Sequence, residues 1–512
     1  MNPILGIDCP DNDVIRVKDT YYMVSTTMYF FPGCEILKSK DLINWEHVSF
    51  VYDELDGTDD QRLLGDGNIY GKGMWAASFR QHNGTFYIAF VCNDTHKTYL
   101  FTSEKIEGPW KKSYIDGFYH DCSLLFDDDG KVYIAYGNRE IYITELKSDL
   151  SGPKEGGLHR LAVKDSQKTP LGYEGTHFYK IKDKYYLLFI HSLEDRWFRA
   201  ESCFVADSVD GEFTGKDVFM DDCGWFGSGI AQGAMFDTPK GAWYAMLFQD
   251  RGASGRIPYI MPVTFKDKFP VFGDNGKMPA SFELPAFETE KFYTPLVGSD
   301  DFMTVYDKDS CFGFNRFWQF NHQPDMSLIT RNTEAGIYSV KTDKICSTLT
   351  QAKNTLTQRM HEMQCEAEIT VLGGELKDGD FAGLATLQYL YGFIGLTLNG
   401  ENYEIVYMER DQEPFRGSFK DREPAKEVLK RIDITPSPVV RFKISVDFSD
   451  RKDEASFFYD GGLGWKKIDI KKKLSFRLEH FTGNRFGLVM FSTKTKGGIA
   501  SFGNFVYRFK NN

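Results

Sequence analysis

Apolar and polar positions alternate in short runs along almost the whole chain. Gly, Asp and Asn break the runs before any long stripe of 3.6-residue period can develop. The pattern predicts an all-β protein. Five segments share one plan: "DVIRVKDTYYMVS" from Asp13, "ASFRQHNGTFYIAF" from Ala77, "SLLFDDDGKVYIAY" from Ser123, "THFYKIKDKYYLLF" from Thr176 and "AMFDTPKGAWYAML" from Ala234. Each reads as strand, polar turn and strand, and places Tyr22, Tyr87, Tyr133, Tyr186 and Tyr244 at equivalent positions. The "NG" and "DG" turns suit hairpins because Gly accepts positive φ. Further echoes, such as "SKDLINW" from Ser39 and "SEKIEGPW" from Ser103, mark outer strands. Units of roughly 45 to 65 residues with about four strands each have the size of propeller blades. A five-bladed β-propeller is expected.

The repeats stop near Gly273, and "MPASFELPAFETEKFYTPLVGSD" reads as a connecting stretch that also closes the last blade. New alternating strands follow from about Asp301, among them "RFKISVDF" and "RFGLVMFST". The expected division is a propeller over residues 1–297 and a β-sandwich of jelly-roll type over 298–512. No long flexible linker separates the two, so the sandwich is expected to pack on the propeller.

In a propeller the innermost strand of each blade lines the axial channel, so residues at its start converge on one mouth. Twelve residues before the repeat tyrosines stand Trp75, Asp121, Glu174 and Gln232, and eleven before the first stands Asp11. The one-residue difference matters because strand side chains alternate. It requires a local irregularity or a position for Asp11 on the turn ahead of the strand, and spacing alone leaves Asp13 as an alternative. Any single acid near Gly is usually a solvated turn residue; three at one repeat position point instead to a shared site. Glycosidic bond cleavage uses such a set, with one protonated carboxyl for the leaving oxygen and one ionised carboxylate for water. A third acid raises its neighbour's proton affinity by like-charge repulsion.

The chain has 512 residues, 42% hydrophobic, enough for a large core and two domains. Its net charge of −12 arises from scattered acids and argues against a nucleic-acid surface. Nine cysteines without CxxC pairs read as reduced thiols, no run approaches eighteen apolar residues, and the start lacks a basic-then-apolar leader. A cytoplasmic, soluble protein without membrane or nucleic-acid partners is the expectation; oligomeric state is not encoded legibly. "DDDG" at Asp127–Gly130 lacks the ligand spacing of a calcium loop and reads as a hairpin turn.

The segments "NPILGIDCPDNDVIRVKDTYYM", "MWAASFR", "HDCSLLFDDDGKVYIAYG", "YEGTHFYKIKDKYYLL" and "GIAQGAMFDTPKGAWYAMLFQ", in that order, resemble glycoside hydrolase family 43, the five-bladed β-xylosidases and α-L-arabinofuranosidases. The later strands, with "NTLTQR" and "DGDFAGLATLQ", resemble the concanavalin A-like sandwich appended to its xylosidases. The resemblance implies an inverting exo-glycosidase with Asp11 as general base, Asp121 orienting the acid and adjusting its pKa, and Glu174 as general acid. It makes Trp75 and Phe31 walls of the sugar pocket and Arg256 a ligand of sugar hydroxyls. Gln232, counted with the substrate-binding residues, stands where many relatives carry a histidine, which in some of them helps hold an axial calcium. A neutral amide is a poorer anchor, so no cofactor is expected to be required and an axial calcium is the weaker expectation. The expected activity is removal of terminal β-D-xylose from xylo-oligosaccharides, with α-L-arabinofuranose as a second sugar. The alternatives are a dedicated α-L-arabinofuranosidase and a non-catalytic carbohydrate-binding propeller. A fructose-transferring five-bladed enzyme is disfavoured because "NDPNG" is missing.

Overall fold

The computed structural model describes residues 2–166, 168–284, 293–307, 310–412 and 425–510. Five four-stranded antiparallel sheets follow one another along the chain. Their innermost strands are Asp13–Val17, Met74–His82, Ser123–Phe126, Glu174–Ile181 and Ile230–Asp237. Each forms a hairpin with the next strand, and the repeat tyrosines occupy one position in all five: Tyr22 pairs with Ile15, Tyr87 with Arg80, Tyr133 with Leu125, Tyr186 with Tyr179 and Tyr244 with Phe236. Apolar side chains between adjacent sheets make separate buried clusters around the ring. The N-terminal segment closes it against the fifth blade, where the Ile4 and Cys9 N–H groups donate to the Pro258 and Arg256 carbonyls.

Two further sheets, of eight and seven strands, form the sandwich, whose strands run from Gln319–Asn321 to Ile499–Lys510. Residues 285–292 of the connecting stretch lie outside the described residues, while Phe282 and Leu284 ahead of them pack on Trp45, Tyr244 and other residues of the first and fifth blades. No helix among the described residues is long and apolar enough to cross a membrane. All nine cysteines are free, and eight are buried.

The two domains share a sheet. Phe30–Phe31, between the second and third strands of blade 1, joins the eight-stranded sheet by pairing with Asn321 and Phe320. Beside it the buried Glu35 carboxylate forms an ion pair with Arg359 of the sandwich at 2.6 Å and sits 3.0 Å from His47 Nδ1. Burial opposes the charge on Glu35, yet Arg359 and His47 outweigh it and hold the carboxyl down at about 2. Tyr70 stacks on His480 with ring centres 3.9 Å apart, and Tyr29 Oη lies 3.1 Å from Thr482 Oγ1. These contacts pin the sandwich loop that contains Phe481 to the propeller.

At the propeller axis the buried polar groups converge on one guanidinium. Arg80 Nη1 donates to Asp13 Oδ2 at 2.7 Å, Nη2 to Ser123 Oγ at 2.6 Å, and Nε to the Leu124 carbonyl at 2.8 Å. The Arg80 guanidinium also lies 5.3 Å from the centre of the Tyr179 ring, and Tyr179 Oη accepts the Met235 N–H. Arg80 thus touches the inner strands of blades 1, 3 and 4 directly and reaches blade 5 through Tyr179. Asp13 is 1% exposed, so removing its cation strands a buried charge, a change that costs roughly 3–5 kcal/mol. Arg80→Met should therefore lower the denaturation midpoint markedly. The double variant Arg80→Met/Asp13→Asn, which removes the stranded charge, should recover part of the loss. An unchanged midpoint in Arg80→Met would show that the axis does not depend on this pair.

Candidate active site

The start of each inner strand is bent so that side chains leave the sheet and enter the channel. Asp11, Asp121 and Gln232 have φ of 54°, 48° and 61°. Asp tolerates this left-handed region through its short polar side chain. Register shifts mark bulges in blades 2 and 4, between Trp75 and Ser78 and between Glu174 and His177, and in blade 5 between Ala231 and Gly233, at Gln232 itself. Gly175, after Glu174, has φ 66°, and a Cβ there would meet the Gln232 side chain at 2.6 Å. Only glycine permits that approach.

Asp11 lies on the turn just ahead of its strand and is buried. Arg256 Nη1 donates to its Oδ1 at 2.9 Å. Burial pushes the Asp11 carboxyl above the usual aspartate range; Arg256 opposes the rise and Asp121 adds to it. Asp13, the alternative left open by spacing, belongs to the layer below. It is tied up by Arg80 and by the Phe79 N–H.

Asp121 accepts the Gly175 N–H at 2.9 Å and lies 3.7 Å from His120 Nε2. Its carboxyl is raised by burial, lowered by His120 and raised again by Glu174. Glu174 accepts from the Asn138 side-chain amide and lies 4.0 Å from the same His120 nitrogen. His120 is held at about 9 chiefly by Asp121, against burial and with help from Glu174, so it is an imidazolium at neutral pH. Exposure is graded: the side chains of Glu174 and His120 keep 23% and 22%, those of Asp11 and Asp121 only 8%. One acid faces the mouth and two lie deeper.

Around the acids Arg256 crosses the ring of Phe481 at 4.1 Å, and Phe481 packs 5.5 Å from Trp75. Phe481 comes from the sandwich, so that domain supplies part of the wall. Arg199 Nη2 lies 2.8 Å from Asp250 Oδ2, and Asp250 Oδ1 lies 3.7 Å from Arg256 Nε. Three buried donors, Trp75 Nε1, Arg199 Nε and Arg256 Nε, have no hydrogen-bond acceptor among the described residues.

The structure brings Asp11, Asp121, Glu174, Trp75 and Arg256 together. Gln232 is adjacent but is 5% exposed; its N–H donates to the buried Glu201 and its side chain rests against Gly175. Phe31 requires a correction. It is fully buried in the strand that joins the sandwich, edge-on to Tyr52, and forms no wall open to a sugar. Truncating such a side chain costs roughly 3–5 kcal/mol through packing, so its role is the domain junction. His120, Asn138, Arg199, Asp250 and Phe481 were not singled out by the repeat. His120 had the one available signal, its place directly before Asp121.

Two places could be asked to hold a metal. His120, Asp121 and Glu174 bring ligand atoms within 4.8 Å of one another. Asp121 and Glu174 favour the protonated form of His120, so a cation there would have to displace that proton. On the axis the nearby acid, Asp13, is already paired with the Arg80 guanidinium, which would repel a second cation.

A family model described as glycosyl hydrolases family 43 matches residues 1–270, more than half of the chain, and one described as the beta xylosidase C-terminal concanavalin A-like domain matches residues 313–508. The chain is 25% identical to a beta-xylosidase of Formosa agariphila over 99% of its own length and 90% of the relative's. It is 26% identical to a xylosidase/arabinosidase of Butyrivibrio fibrisolvens, covering 81% of each. Among solved structures it resembles a bifunctional GH43-CE protein of Bacteroides eggerthii, with 37% identity and a TM-score of 0.89. That likeness covers all of this chain but 64% of the other. A five-bladed propeller, a concanavalin A-like sandwich and a family match across the residues that carry the three acids lead to one assignment: the chain belongs to glycosyl hydrolases family 43.

Proposed function

We propose that the protein is an inverting exo-glycosidase that removes terminal β-D-xylosyl residues from xylo-oligosaccharides and accepts α-L-arabinofuranosyl residues as a second substrate. The observation that carries this reading is the convergence of Asp11, Asp121 and Glu174 from three blades on one mouth, with unpartnered donors beside them. A binding propeller has no use for three crowded carboxyls. The names of the Formosa and Butyrivibrio relatives support the choice of sugars.

In the proposed reaction Glu174, at the mouth, gives its proton to the glycosidic oxygen as the bond to the anomeric carbon breaks. Asp11 takes a proton from a water that attacks the opposite face, so configuration inverts in one step. Glu174 ends ionised, Asp11 ends protonated, and exchange with solvent resets both. Arg256 holds the Asp11 carboxylate and offers its remaining donors to sugar hydroxyls. Asp121, fixed by Gly175 N–H and His120, steadies the acid.

Glu174→Gln should lose roughly 10²-fold or more in kcat on xylobiose, the usual contribution of positioned proton transfer, and much less on a nitrophenyl xyloside whose leaving group departs unprotonated. Equal losses on both, in a folded variant that still binds xylose, would remove Glu174 from the acid's role. The acidic limb of kcat/KM should lie above about pH 3.9, the value of an ordinary aspartate, because Asp11 is raised. Arg256 favours the ionised form, so Arg256→Met should move that limb to still higher pH while weakening sugar binding. A limb that stays or moves down would separate the base from Arg256.

We further propose that catalysis needs no metal, in line with the guanidinium on the axis and the imidazolium at the mouth. Dialysis against EDTA should leave kcat and the melting temperature unchanged. Loss of activity restored by added Ca²⁺ would overturn this. The ratio of kcat/KM on nitrophenyl xyloside to that on nitrophenyl arabinofuranoside decides the preferred sugar, and no hydrolysis of either would overturn the reading.

A further inference from the structure

The rim above Glu174 carries an aromatic side chain that neither packing nor the acids account for. In blade 4, Glu174 pairs with Ile190, and Ser192 pairs with Arg199. The intervening turn, residues 193–198, therefore projects from the same sheet end as Glu174. Trp197 in that turn is 53% exposed. Trp45 and Trp318, by contrast, are buried. The Arg199 guanidinium lies 5.7 Å from the Trp197 ring centre and 5.4 Å from that of Phe248. Arg199 is also within electrostatic reach of Glu174 and Asp11, and its Nε lacks an acceptor.

The neighbouring loop braces this turn from the fifth-blade side. A Cβ at Gly229 would lie 2.0 Å from the Arg199 carbonyl oxygen and 2.8 Å from the Phe198 ring, so glycine lets the two segments touch. Phe226, on the same loop, is equally exposed at 53%, but Arg451 of the sandwich lies 4.7 Å from its ring centre. Both loops lie at the sheet end of the acid, but Trp197 combines two features that Phe226 does not: an arginine held by Asp250 and a free donor beside the ring.

Resting on the proposed xylosidase reading, we infer that Trp197 is the platform for the sugar on the leaving-group side of the scissile bond. A xylopyranose carries equatorial hydroxyls around an apolar face of axial C–H bonds. That face matches a flat, exposed indole, while the ring hydroxyls at its edge can accept from Arg199. The acid donates to the oxygen that joins this sugar to the terminal one. A platform on the acid's own blade holds the leaving sugar where that oxygen must be. Trp197 thereby selects for a pyranosyl leaving group and contributes nothing to substrates that lack one.

The test compares xylobiose with β-D-xylosyl fluoride, whose leaving group occupies no sugar site. In Trp197→Ala, kcat/KM on xylobiose should fall about tenfold more than on the fluoride, the scale of one aromatic contact. Trp197→Tyr should recover most of the difference. Phe226→Ala should change the xylobiose-to-fluoride ratio less than twofold. Equal losses on the two substrates in Trp197→Ala, or no loss on either, would overturn the platform while leaving the xylosidase reading intact. Failure of the unmodified protein to hydrolyse either substrate would overturn both.

Discussion

The guanidinium of Arg80 is the contact on which the rest of the site depends. A propeller brings five strand ends together, and their polar groups cannot all be buried at the centre without a partner. Arg80 supplies that partner with hydrogen bonds to Asp13, Ser123 and the Leu124 carbonyl. Residues opposite the same repeat position, two beyond each tyrosine, include Asp13, Ser78, Ser123 and His177. They form a plugged layer across the axis. The acids sit on the layer above it, so the plug is the floor of the site and excludes Asp13 from the chemistry.

Above that floor, charges are matched closely but not cancelled. Arg256 answers Asp11, His120 answers Asp121 and Glu174, and Asp250 lies between Arg199 and Arg256. Burial raises both deeper aspartates, whereas the acid at the mouth keeps more solvent. The sandwich completes the wall rather than hanging beside it. Asp8 joins the pieces: its Oδ1 accepts the Arg256 N–H at 2.7 Å and its Oδ2 accepts the Gly483 N–H at 2.9 Å. One carboxylate thereby sets the strand of Arg256 and the loop of Phe481 relative to each other. The shared sheet at Phe31 and the Glu35–Arg359 pair fix the same geometry from the other side.

Blade number and the three acids were legible because both repeat. The tyrosine position survives in all five hairpins, and the acids stand at nearly constant distance from it. The apparent one-residue discrepancy at Asp11 has a physical origin that spacing could not reveal. Blades 3 and 5 carry one extra residue in the hairpin, since Tyr133 and Tyr244 pair eight residues back, whereas Tyr22, Tyr87 and Tyr186 pair seven back. Blades 2 and 4 carry a bulge after Trp75 and Glu174 that adds the residue there, and the register shift of blade 5 falls on Gln232 itself. Blade 1 has neither. Contributions that occur once were not legible: Arg199 lies on a third strand, Asn138 at a strand end and Phe481 in the other domain. Phe31 misled because an aromatic beside a turn reads alike whether it lines a pocket or joins a sheet. Only its pairing with Phe320 distinguishes the two.

The central claim is that Asp11 and Glu174 act on opposite faces of one sugar in a single displacement, with water as the nucleophile. The stereochemistry of the first product reports this directly, because one displacement inverts the anomeric carbon and two retain it. Proton NMR of a β-xyloside digest, recorded before mutarotation equilibrates the sugar, should show α-xylose appearing first. β-Xylose as the initial product would contradict the account, since it would require a covalent intermediate and a nucleophile in place of the water-activating Asp11.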